Sequence, residues 1–472
     1  MTKSRTFTPD DQSAFAELSG DHNPLHLDAL SARRLMYGAP VVHGVHCLLW
    51  ALDAWLEERG EPLQLRSIEV SFPRPLKVGE GARLLLNPEG ERRVKLEVAG
   101  TDLIAAKMDC EWAPANQPLD SALDARFPPR SAPRVLRLDE IPAKSGALEL
   151  HFNPQAAARM FPFLTKRVPS LQIAVLLGTT RLVGMECPGW HSVFFELKLT
   201  AHSGHEPLLL TYHVTKFDRR FGAIWMTITA PGLSGEIQAF VRPEPQEQVS
   251  LLKLKELVNE AEFSGQRALI VGGSRGLGEV TAKLLAAGGA HVAVTYHQGR
   301  AEADGIVEEI IANGGTAESF QLDVLCPSPP RNLAPHHAAA PTHLYYFATP
   351  FIFAGAKGVF STGLFQKFCE YYIVGFLNVL NALKDAGVRK AFYPSSVAVD
   401  EVPPDMAEYA AAKMAAEVLC LSLAKNHRGS SLAIYKPRLP RMRTDQTVSL
   451  FPASNEEPAP VMLKHLRIFR DQ

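Results

Sequence analysis

Two groups of residues, far apart in the chain, have the types and spacing that acid–base chemistry requires. The first group is Asp21 and His26, five residues apart, with His43-Gly44 further along the chain. The second is a glycine-rich turn near residue 275, followed by a serine, a tyrosine and a lysine. An aspartate and a histidine can add water to a carbon–carbon double bond or remove it. A tyrosine and a lysine beside a nucleotide-binding turn can reduce a ketone.

The first group sits in the run Ser19-Gly20-Asp21-His22-Asn23-Pro24-Leu25-His26-Leu27-Asp28. Because the residue before a proline is disfavoured in a helix, this run is predicted to be a loop that brings Asp21 and His26 to one point. Histidine is a suitable base near neutral pH, and the carboxylate can hold a water molecule or orient the imidazole. The Gly44 N–H, where a long helix is predicted to begin, can stabilise an enolate oxygen with the positive end of the helix dipole.

These motifs strongly resemble the MaoC-like (R)-specific enoyl thioester hydratase/dehydratase family, over roughly residues 5–115. The resemblance implies that Asp21 and His26 are the catalytic dyad and that the Gly44 N–H binds the oxyanion. It also implies an acyl thioester of CoA or of acyl carrier protein as the substrate. An isolated aspartate and histidine at this spacing would more often be a polar loop with a core histidine, and the flanking motifs favour the catalytic interpretation.

The elements after the loop predict a hotdog fold that occurs twice. Apolar residues at helical spacing from Val45 to Leu56 predict a long helix. The strands expected after it lie at 63–72, 82–87, 92–99 and 101–112. The segment 145–243 repeats this order at an offset of 126 residues, with a helix from Leu171 to Val183. The strands expected in the repeat lie at 192–200, 207–215, 223–229 and 235–242.

The offset of 126 residues predicts that the second half lacks its own catalytic dyad. It aligns Val168-Pro169-Ser170 with Val42-His43-Gly44, and Ser145-Gly146 with Ser19-Gly20. Ala147 then stands opposite Asp21, and Phe152 stands opposite His26. The second half is therefore expected to complete the paired sheet and to help wall an acyl tunnel, with the proline-rich segment 112–133 as the linker between the halves.

The second group begins with Gly272-Gly273-Ser274-Arg275-Gly276-Leu277-Gly278, which follows an apolar run at 267–271 and opens a helix. A pyrophosphate-binding turn requires this context. Tyr409 and Lys413 are four residues apart and share one helix face. An ammonium group favours a nearby phenolate, so Lys413 is expected to lower the pKa of Tyr409. Ser396 can hold the carbonyl oxygen of the ketone.

Residues 265–445 resemble the short-chain dehydrogenase/reductase family, most closely the 3-oxoacyl thioester reductases. The resemblance implies a Rossmann-type α/β domain with Ser396, Tyr409 and Lys413 as the catalytic residues. It also implies that Asp323-Val324 contacts the adenine, and Ala348 lies in the family's cofactor-binding segment after the fourth strand. Arg275 and Arg300 could pair with a 2′-phosphate, and Tyr296-His297-Gln298 is not acidic, so NADPH is expected rather than NADH.

The chain departs from this family at three places. The family's Asn-Asn-Ala-Gly is Tyr346-Phe347-Ala348-Thr349 here, and its Pro-Gly after the sixth strand is Pro437-Arg438. The asparagine of its catalytic helix falls at Tyr371 or Tyr372. These departures keep open a second hypothesis, in which only the hydratase is active and the C-terminal domain senses NADP(H) or forms a dimer. A non-enzymatic acyl-thioester-binding scaffold is a third, and the intact catalytic sets argue against it.

Length and composition limit the remaining possibilities. The 472 residues are too many for one ordinary core, and the net charge of −1 with scattered Lys and Arg argues against nucleic-acid binding. The longest apolar stretch, 371–383, is too short to span a membrane, and the first residues do not resemble a signal peptide. The six cysteines form no CxxC pair and are expected to be reduced thiols in a cytoplasmic protein.

The sequence thus predicts an α+β double hotdog followed by an α/β Rossmann-type domain. The expected boundaries are a catalytic hotdog at 1–115, a second hotdog at 134–245, a charged linker at 246–263 and a reductase domain at 264–472. The predicted function is a dehydratase/hydratase of (R)-3-hydroxyacyl thioesters joined to an NADPH-dependent 3-oxoacyl reductase. A homo-oligomer, most simply a dimer, is expected. No metal site is expected.

Overall fold

A computed structural model describes residues 3–101, 103–115, 123, 125–204, 207–327, 340–383, 386, 388–426, 432–450 and 454–472. The chain divides between Glu244 and Pro245 into two compact units. The first contains the residues up to Glu244, and the second contains Pro245–Val448 and the C-terminal helix. Both predicted hotdogs therefore fall in the first unit, which has one large apolar core and a small separate cluster of Leu25, Leu35 and Val41.

The first unit is built on one antiparallel sheet. Its strands are β1 Lys3–Thr6, β2 Leu63–Ser71, β3 Gly81–Pro88, β4 Arg93–Ala99, β5 Ile104–Pro114, β6 Ser145–Glu149, β7 Ser192–Ala201, β8 Leu209–Asp218, β9 Ala223–Ala230 and β10 Leu233–Val241. The strand order is β1-β3-β4-β5-β2-β7-β10-β9-β8-β6. The two halves of this order are equivalent, and they join where β2 pairs with β7, with Ile68 opposite Leu199. The predicted double hotdog is confirmed.

Each half of the sheet packs against one buried helix. The helices of this unit are α1 Pro9–Ser19, α2 Pro24–Leu27, α3 Ala29–Ala32, α4 Gly44–Leu56, α5 Pro154–Met160, α6 Pro162–Arg167 and α7 Ser170–Arg181, and a π-helical turn at Leu182–Glu186 continues α7. Helix α4 is buried from Val45 to Leu56 because it is apolar on nearly every face. His46 and Asp53 are its buried polar residues, and the Asp53 carboxylate accepts the Phe163 and Leu164 N–H groups at the start of α6, 2.8 Å from each.

The strand order corrects the alignment of the two halves upstream of α7. Strand β6 occupies the place of β1, at the far edge of its half-sheet, so it is not equivalent to the loop after α1. Ala147 lies on β6 and is not the structural counterpart of Asp21, and Phe152 is likewise not that of His26. The counterpart of the loop is 161–169, between α5 and α7, and it contains neither aspartate nor histidine. That the second half is non-catalytic stays a prediction, now based on the composition of 161–169.

The second unit is built on a parallel sheet with helices between the strands. Its strands are β11 Arg267–Val271, β12 His291–Tyr296, β13 Thr316–Gln321, β14 His343–Tyr346, β15 Lys390–Phe392, β16 Ser395–Ser396, β17 Ala433–Tyr435 and β18 Arg438–Leu439. The main sheet has the order β13-β12-β11-β14-β15-β17, and β16 pairs with β18 beside it. The order reverses between β11 and β14, where such sheets bind ligands. The predicted Rossmann-type domain is confirmed.

The helices of the second unit are α8 Leu251–Leu254, α9 Gly276–Ala287, α10 Arg300–Ala312, α11 Thr362–Cys369, α12 Phe376–Ala382, α13 Ala398–Glu401, α14 Ala407–Asn426 and α15 Pro458–Arg470, with a π-helical turn at Glu370–Gly375 and a 3-10 turn at Asp445–Thr447. The predicted linker 246–263 is not a free linker. Leu251, Leu254 and Phe263 are buried in the core of this unit, because apolar side chains are spaced through its charged sequence. The five prolines between Cys326 and Pro341 predict a loop there, and most of that segment lies outside the described residues.

Two predictions from composition can be compared with this structure. All six cysteines are free thiols, and Cys47, Cys110, Cys187 and Cys420 are buried. Among the described residues, we find no helix that is both long enough and apolar enough to cross a membrane.

Candidate active sites

The loop that carries Asp21 and His26 is fixed to the second half of the first unit by Asn23. The Asn23 side chain caps α2 by accepting the Leu25 N–H at 3.1 Å. Its amide nitrogen donates to the carbonyls of Gly184 and Gly189, at 3.0 and 3.1 Å. Asn23 is fully buried, so these bonds are shielded from water. The Asn-Pro pair thus starts a short helix, with His26 in it, and docks that helix at the same time.

The Asp21 carboxylate is buried and held by two hydrogen bonds. Only 1% of Asp21 is exposed. One carboxylate oxygen accepts the Thr180 hydroxyl at 2.6 Å, and the other accepts the Asn23 N–H at 3.2 Å. Burial raises the pKa of Asp21, and the nearby His26 and these hydrogen bonds oppose that rise. Both oxygens accept hydrogen bonds, which favours the ionised form.

His26 is prepared to act as a base at neutral pH. Its Nδ1 lies 2.7 Å from the Val41 carbonyl oxygen, which can only accept, so Nδ1 carries the hydrogen and Nε2 is left with a free lone pair. Burial lowers the pKa of His26, and the charge of Asp21 opposes this effect. The ring of His43 stacks on that of His26 with 3.8 Å between centroids. The neutral imidazole is therefore the favoured form.

Possible ligand atoms of Asp21, His26 and His43 lie within 4.8 Å of one another, a spacing that could hold a metal ion. Hydrogen bonds already use most of them. The two ring nitrogens of His43 lie 2.9 Å from the Gln12 side-chain oxygen and 3.0 Å from the Asp21 carbonyl. Nδ1 of His26 is bonded to Val41, as described above. This arrangement favours acid–base chemistry over metal binding.

Gly44 is the first residue of α4 and faces the same cleft. Among the described residues, no acceptor is found for its N–H, as expected for the first turn of a helix. A β-carbon on Gly44 would lie 2.9 Å from the ring of Phe72. Gly44 therefore lets the Phe72 ring approach the helix while leaving an N–H free for an oxyanion.

Both halves of the first unit line the cleft at Asp21 and His26. The residues that the second half contributes are Thr180, Val183, Gly184, Ser192, Val193 and Phe194. The first half contributes mainly apolar side chains around the dyad, including Val42 and Phe72. An acyl chain fits such a lining, and the predicted role of the second half in walling the cleft agrees with this geometry.

In the second unit, the glycine turn lies where the strand order reverses. Gly272 has a φ of +76°, and a β-carbon there would lie 2.8 Å from the Ala348 backbone nitrogen. A β-carbon on Gly278 would lie 2.3 Å from the Gly272 carbonyl oxygen. On Gly276, at the start of α9, it would meet nothing closer than Thr444 at 3.7 Å. Packing thus requires glycine at 272 and 278, whereas the open space over Gly276 fits a phosphate group.

The other residues predicted to contact the cofactor lie at the same edge of the sheet. Asp323 and Val324 follow β13, and Ala348 follows β14. The Asp323 carboxylate caps a turn by accepting the Leu325 N–H at 2.9 Å. The Val324 carbonyl accepts the Asn378 side chain at 3.0 Å, which fixes its backbone.

The two arginines considered for a 2′-phosphate each face a carboxylate. Arg275 lies 3.7 Å from Asp445, and Arg300 lies 3.3 Å from Asp304. Arg300 is largely exposed, and Asp304 lies one helical turn after it on α10. An exposed ion pair of this kind is weak, so Arg300 can exchange Asp304 for another anion. Of the two, Arg275 belongs to the glycine turn itself.

Ser396, Tyr409 and Lys413 are brought together as predicted, but their electrostatics differ from expectation. Burial raises the pKa of Tyr409 to about 12, and the nearby Ser396 hydroxyl opposes the rise. Burial also lowers the pKa of Lys413 to about 7, so its charge is partly lost at neutral pH. The prediction that Lys413 lowers the pKa of Tyr409 is wrong for this structure.

The pKa of Lys413 falls because its surroundings exclude water from the ammonium group. Its ammonium group donates to the Pro394 carbonyl at 2.8 Å and lies 3.9 Å from the centre of the Tyr372 ring. The rings of Tyr372 and Tyr409 meet edge to face, with 5.9 Å between centroids. Of the two tyrosines considered for the family's asparagine position, Tyr372 is the one that contacts Lys413. An aromatic ring therefore contacts Lys413 from one of the two positions at which the family's asparagine was predicted.

Comparison with known proteins agrees with this division of the chain. Residues 1–107 match the family model described as MaoC like domain, and residues 266–335 match the model described as short chain dehydrogenase. The chain carries a MaoC-like domain followed by a short-chain dehydrogenase domain. The second match includes the glycine turn, whereas Ser396, Tyr409 and Lys413 lie beyond it.

Curated relatives match only short parts of the chain. A 3-oxoacyl-[acyl-carrier-protein] reductase of Synechocystis sp. is 51% identical over 62 residues, which are 13% of this chain and 25% of that protein. The peroxisomal multifunctional enzyme type 2 of Drosophila melanogaster is 33% identical over 87 residues, 18% of this chain and 14% of that protein. The peroxisomal hydratase-dehydrogenase-epimerase of Saccharomyces cerevisiae is 40% identical over 68 residues, 14% and 8% respectively. The matches thus span a quarter or less of these relatives.

Among solved structures, a short chain dehydrogenase from Burkholderia cenocepacia, in complex with NADP, is 24% identical. The match covers 44% of this chain and 90% of that chain, with a TM-score of 0.38.

Sequence reasoning missed Arg242, a buried cation close to the dyad of the MaoC-like domain. Only 1% of Arg242 is exposed, and its guanidinium donates to the Trp190 carbonyl, which also accepts the Asn23 amide at 3.3 Å. Its Nε and Nη1 have no hydrogen-bond partner among the described residues. Burial lowers the pKa of Arg242 to about 10, so it stays charged at neutral pH, and its charge helps to lower the pKa of His26. No motif in the sequence signals this residue.

Replacing Arg242 with methionine is expected to move the acidic limb of the hydration pH profile to higher pH. Without the cation the pKa of His26 rises, so the neutral base is lost at a higher pH as the solution is acidified. The protein should be as stable or more stable, because an unpaired buried charge is removed. The pH dependence of kcat/KM and thermal unfolding measure both effects. Arg242→Lys, which keeps a charge, should retain the original limb, and an unchanged limb in Arg242→Met would contradict the electrostatic role.

Replacing Gly44 with alanine is expected to lower hydration by about 10²-fold, since small displacements of catalytic groups cost rates of this order. The added methyl group would meet Phe72 and push the first turn of α4 away from the oxyanion position. Steady-state hydration of a short enoyl thioester measures the loss. Gly60→Ala is the matched control, because nothing lies within 4 Å of a β-carbon there. Full activity of Gly44→Ala would show that the approach of Phe72 to α4 is not needed.

Proposed function

We propose that this chain is a bifunctional enzyme, an (R)-3-hydroxyacyl thioester dehydratase/enoyl hydratase joined to an NADPH-dependent 3-oxoacyl thioester reductase. The observation that carries the proposal is the convergence of Asp21, the free Nε2 side of His26 and the Gly44 N–H at one apolar-lined cleft. The presence of a MaoC-like and a short-chain dehydrogenase domain in one chain supports it. Relatives named as hydratase-dehydrogenase and multifunctional enzymes support the same combination.

In the hydratase reaction, a water molecule is held between Asp21 and His26. The oxygen of the water bonds to Cβ of the enoyl thioester while Nε2 of His26 takes the proton. Negative charge develops on the thioester oxygen, and the Gly44 N–H stabilises it. The imidazolium then returns the proton at Cα, which completes the addition of water. Dehydration follows the same steps in reverse.

In the reductase reaction, the glycine turn and the start of α9 would hold the phosphates of NADP(H), which supplies the hydride when bound. Arg275 and Arg300 favour the 2′-phosphate form. The Ser396 and Tyr409 hydroxyls hold the ketone oxygen of the substrate. Because the pKa of Tyr409 is about 12, its hydroxyl keeps its proton at neutral pH and can give it to the forming alkoxide. Neighbouring solved structures described with NADP are short-chain dehydrogenases or reductases.

A second candidate function is a hydratase with a slow reductase domain that senses NADP(H). The observation that favours it is the aromatic surroundings of Lys413, where the Tyr372 ring lies 3.9 Å from the ammonium group. A lysine with a pKa of about 7 is partly neutral at neutral pH, so its charge favours the Tyr409 phenolate less than that of a fully charged lysine. The two candidates differ in one quantity, the rate of ketone reduction by a protein that binds NADPH.

The substrate, oligomeric state and location are part of the proposal. The substrate is an acyl thioester of CoA or of acyl carrier protein. A dimer is supported by α14, whose Met414, Val418 and Leu421 form an exposed apolar stripe at helical spacing. The molecular mass of the protein in solution tests whether it forms a dimer. A cytoplasmic location stays a prediction, since the relatives include peroxisomal enzymes.

The deciding experiment measures both activities on the purified full chain. Hydration is followed with crotonyl thioesters, and reduction is followed by NADPH oxidation with acetoacetyl thioesters, each linked to CoA and to carrier protein. Activity in both assays is expected. NADPH binding without reduction would favour the sensing role, and failure to hydrate any enoyl thioester would refute the hydratase assignment.

A further inference from the structure

One residue of the second hotdog half contacts the catalytic carboxylate of the first. Thr180 lies in the last turns of α7, and 4% of it is exposed. Its hydroxyl donates to Asp21 at 2.6 Å, across 159 residues of sequence. A threonine hydroxyl within an apolar helix commonly bonds to its own backbone. Thr179 does so, with the Leu176 carbonyl at 2.7 Å, whereas Thr180 is directed at the site.

We propose that Thr180 is a positioning residue for Asp21, so that the second hotdog half supplies a group on which hydration by the first half depends. The proposal rests on the proposed hydratase function and adds a residue to it. Thr180 fixes the plane of the carboxylate and keeps it ionised. The second hotdog half then does more than line the acyl cleft, because it also positions a catalytic group of the first half.

The groups around Asp21 show why this hydrogen bond matters. The charged or titratable neighbours are His26 and His22 from the same loop, while His43 contacts the Asp21 carbonyl. No lysine or arginine pairs with Asp21 among the described residues, so burial is opposed only by the histidines and by hydrogen bonds. The Thr180 bond favours the charged form of Asp21, and its loss would raise the pKa of Asp21 further.

The second half also shapes the space that Asp21 occupies. Gly184, in the π-helical turn after α7, packs directly against the carboxylate. A β-carbon on Gly184 would come within 2.5 Å of all three atoms of the Asp21 carboxyl group. Any larger residue at 184 would therefore displace Asp21. Thr180 and Gly184 thus both contact the Asp21 carboxylate and together fix its position.

Replacing Thr180 with valine removes the hydroxyl and keeps the shape. Hydration by the full chain is expected to fall about 10–100-fold in kcat/KM, the typical effect of losing a hydrogen bond to a charged group. The acidic limb of the pH profile should move to higher pH, because Asp21 is protonated more easily. Thr180→Ser should restore both the rate and the limb, since the hydroxyl returns.

The matched control is Thr179→Val, which makes the same change one residue away without touching Asp21. It should leave the pH profile unchanged. Loss of activity in Thr180→Val without a shift of the limb, or failure of Thr180→Ser to restore it, would overturn the proposal. If Thr180→Val does not fold, the serine variant and Gly184→Ala decide, because the latter should impair hydration by displacing Asp21.

A readout that does not need catalysis separates this proposal from the proposed function. The titration of Asp21 can be followed by ¹³C NMR of labelled aspartate carboxyl groups, with Asp21→Asn used to assign the signal. A higher pKa of Asp21 in Thr180→Val than in the wild type is expected. If the wild type hydrates no enoyl thioester, the hydratase function fails, while this titration still decides the role of Thr180. Equal titration in the two proteins would refute that role.

Discussion

Replacing His26 with alanine is expected to lower crotonyl-thioester hydration by about 10²–10⁴-fold, the usual contribution of a general acid–base residue. His26 has its hydrogen on Nδ1, directed at Val41, so Nε2 is the only position from which it can accept a proton from water. His43 and His46 are not placed to replace it, because both nitrogens of His43 face acceptors and His46 is fully buried. Initial rates of hydration measure the loss.

Asp21→Asn should produce a loss of similar size without changing the shape of the site. The amide keeps the size of the carboxylate but removes its charge and places N–H groups toward the Thr180 hydroxyl or the Asn23 N–H. In the wild type, activity should fall on acidification as His26 and Asp21 take up protons. Burial lowers the pKa of His26, so activity should persist below the ordinary titration range of histidine.

The control for both variants is His151→Ala in the second half. His151 is nearly buried and lies beside Glu149, outside the cleft. The His151→Ala variant should hydrate the thioester at close to the wild-type rate. All three variants should oxidise NADPH normally with a 3-oxoacyl thioester, because the reductase residues are untouched. Near-wild-type hydration by both His26→Ala and Asp21→Asn would refute the assignment of the dyad.

Replacing Tyr409 with phenylalanine is expected to lower 3-oxoacyl reduction by about 10²–10⁴-fold while leaving NADPH affinity nearly unchanged. In the proposed reaction the hydroxyl is the proton donor, and a pKa of about 12 keeps it protonated at neutral pH. The glycine turn proposed to bind the phosphates is formed by other residues, so cofactor binding should not depend on this hydroxyl. NADPH oxidation measures reduction, and fluorescence titration measures binding.

Tyr435→Phe is the matched control for this variant. Tyr435 is half-buried on β17, and its hydroxyl bonds to His465 at 2.8 Å, so the same atom is lost without touching Ser396 or Lys413. Normal reduction by the control and none by Tyr409→Phe would support the assigned role. Equal reduction by Tyr409→Phe and the wild type would refute it, and failure of the wild type to bind either nucleotide would refute the cofactor assignment.

Local sequence was enough to predict the elements that hold the two sites. Helix α1 ends at Ser19, with Gly20 in the left-handed conformation after it, and the Asn-Pro pair, predicted to lie in a loop, instead caps and begins the short helix that carries His26. The apolar run at 267–271 became β11, because a continuous apolar stretch suits a sheet covered on both faces. The start of α7 at Ser170 matches the start of α4 at Gly44, as the offset of 126 residues predicted.

The alignment of the two halves failed where the sequence offered least information. Ser145-Gly146 resembles Ser19-Gly20 in letters, but the chain uses it as an edge strand paired with β8. Strand pairing is decided by partners far along the chain, and no local pattern reports it. The same limit explains why 246–263 was wrongly predicted to be a linker. Its charged residues suggested an exposed segment, whereas its leucines are buried in a core formed with residues far along the chain.

The sequence by itself determined which residues could do the chemistry and on which kind of element each would lie. Residue type and spacing along one helix or one turn are local properties, and they are enough to pair Tyr409 with Lys413 and to place glycines in a phosphate-binding turn. Only the tertiary structure decided the pKa values of the site residues and which distant side chains act on them. Thr180, Gly184 and Arg242 reach Asp21 and His26 from more than 150 residues away, and the burial that sets the pKa values of Tyr409 and Lys413 comes from side chains throughout the fold. Desolvation depends on everything packed around a group, so it exists only once the chain has folded.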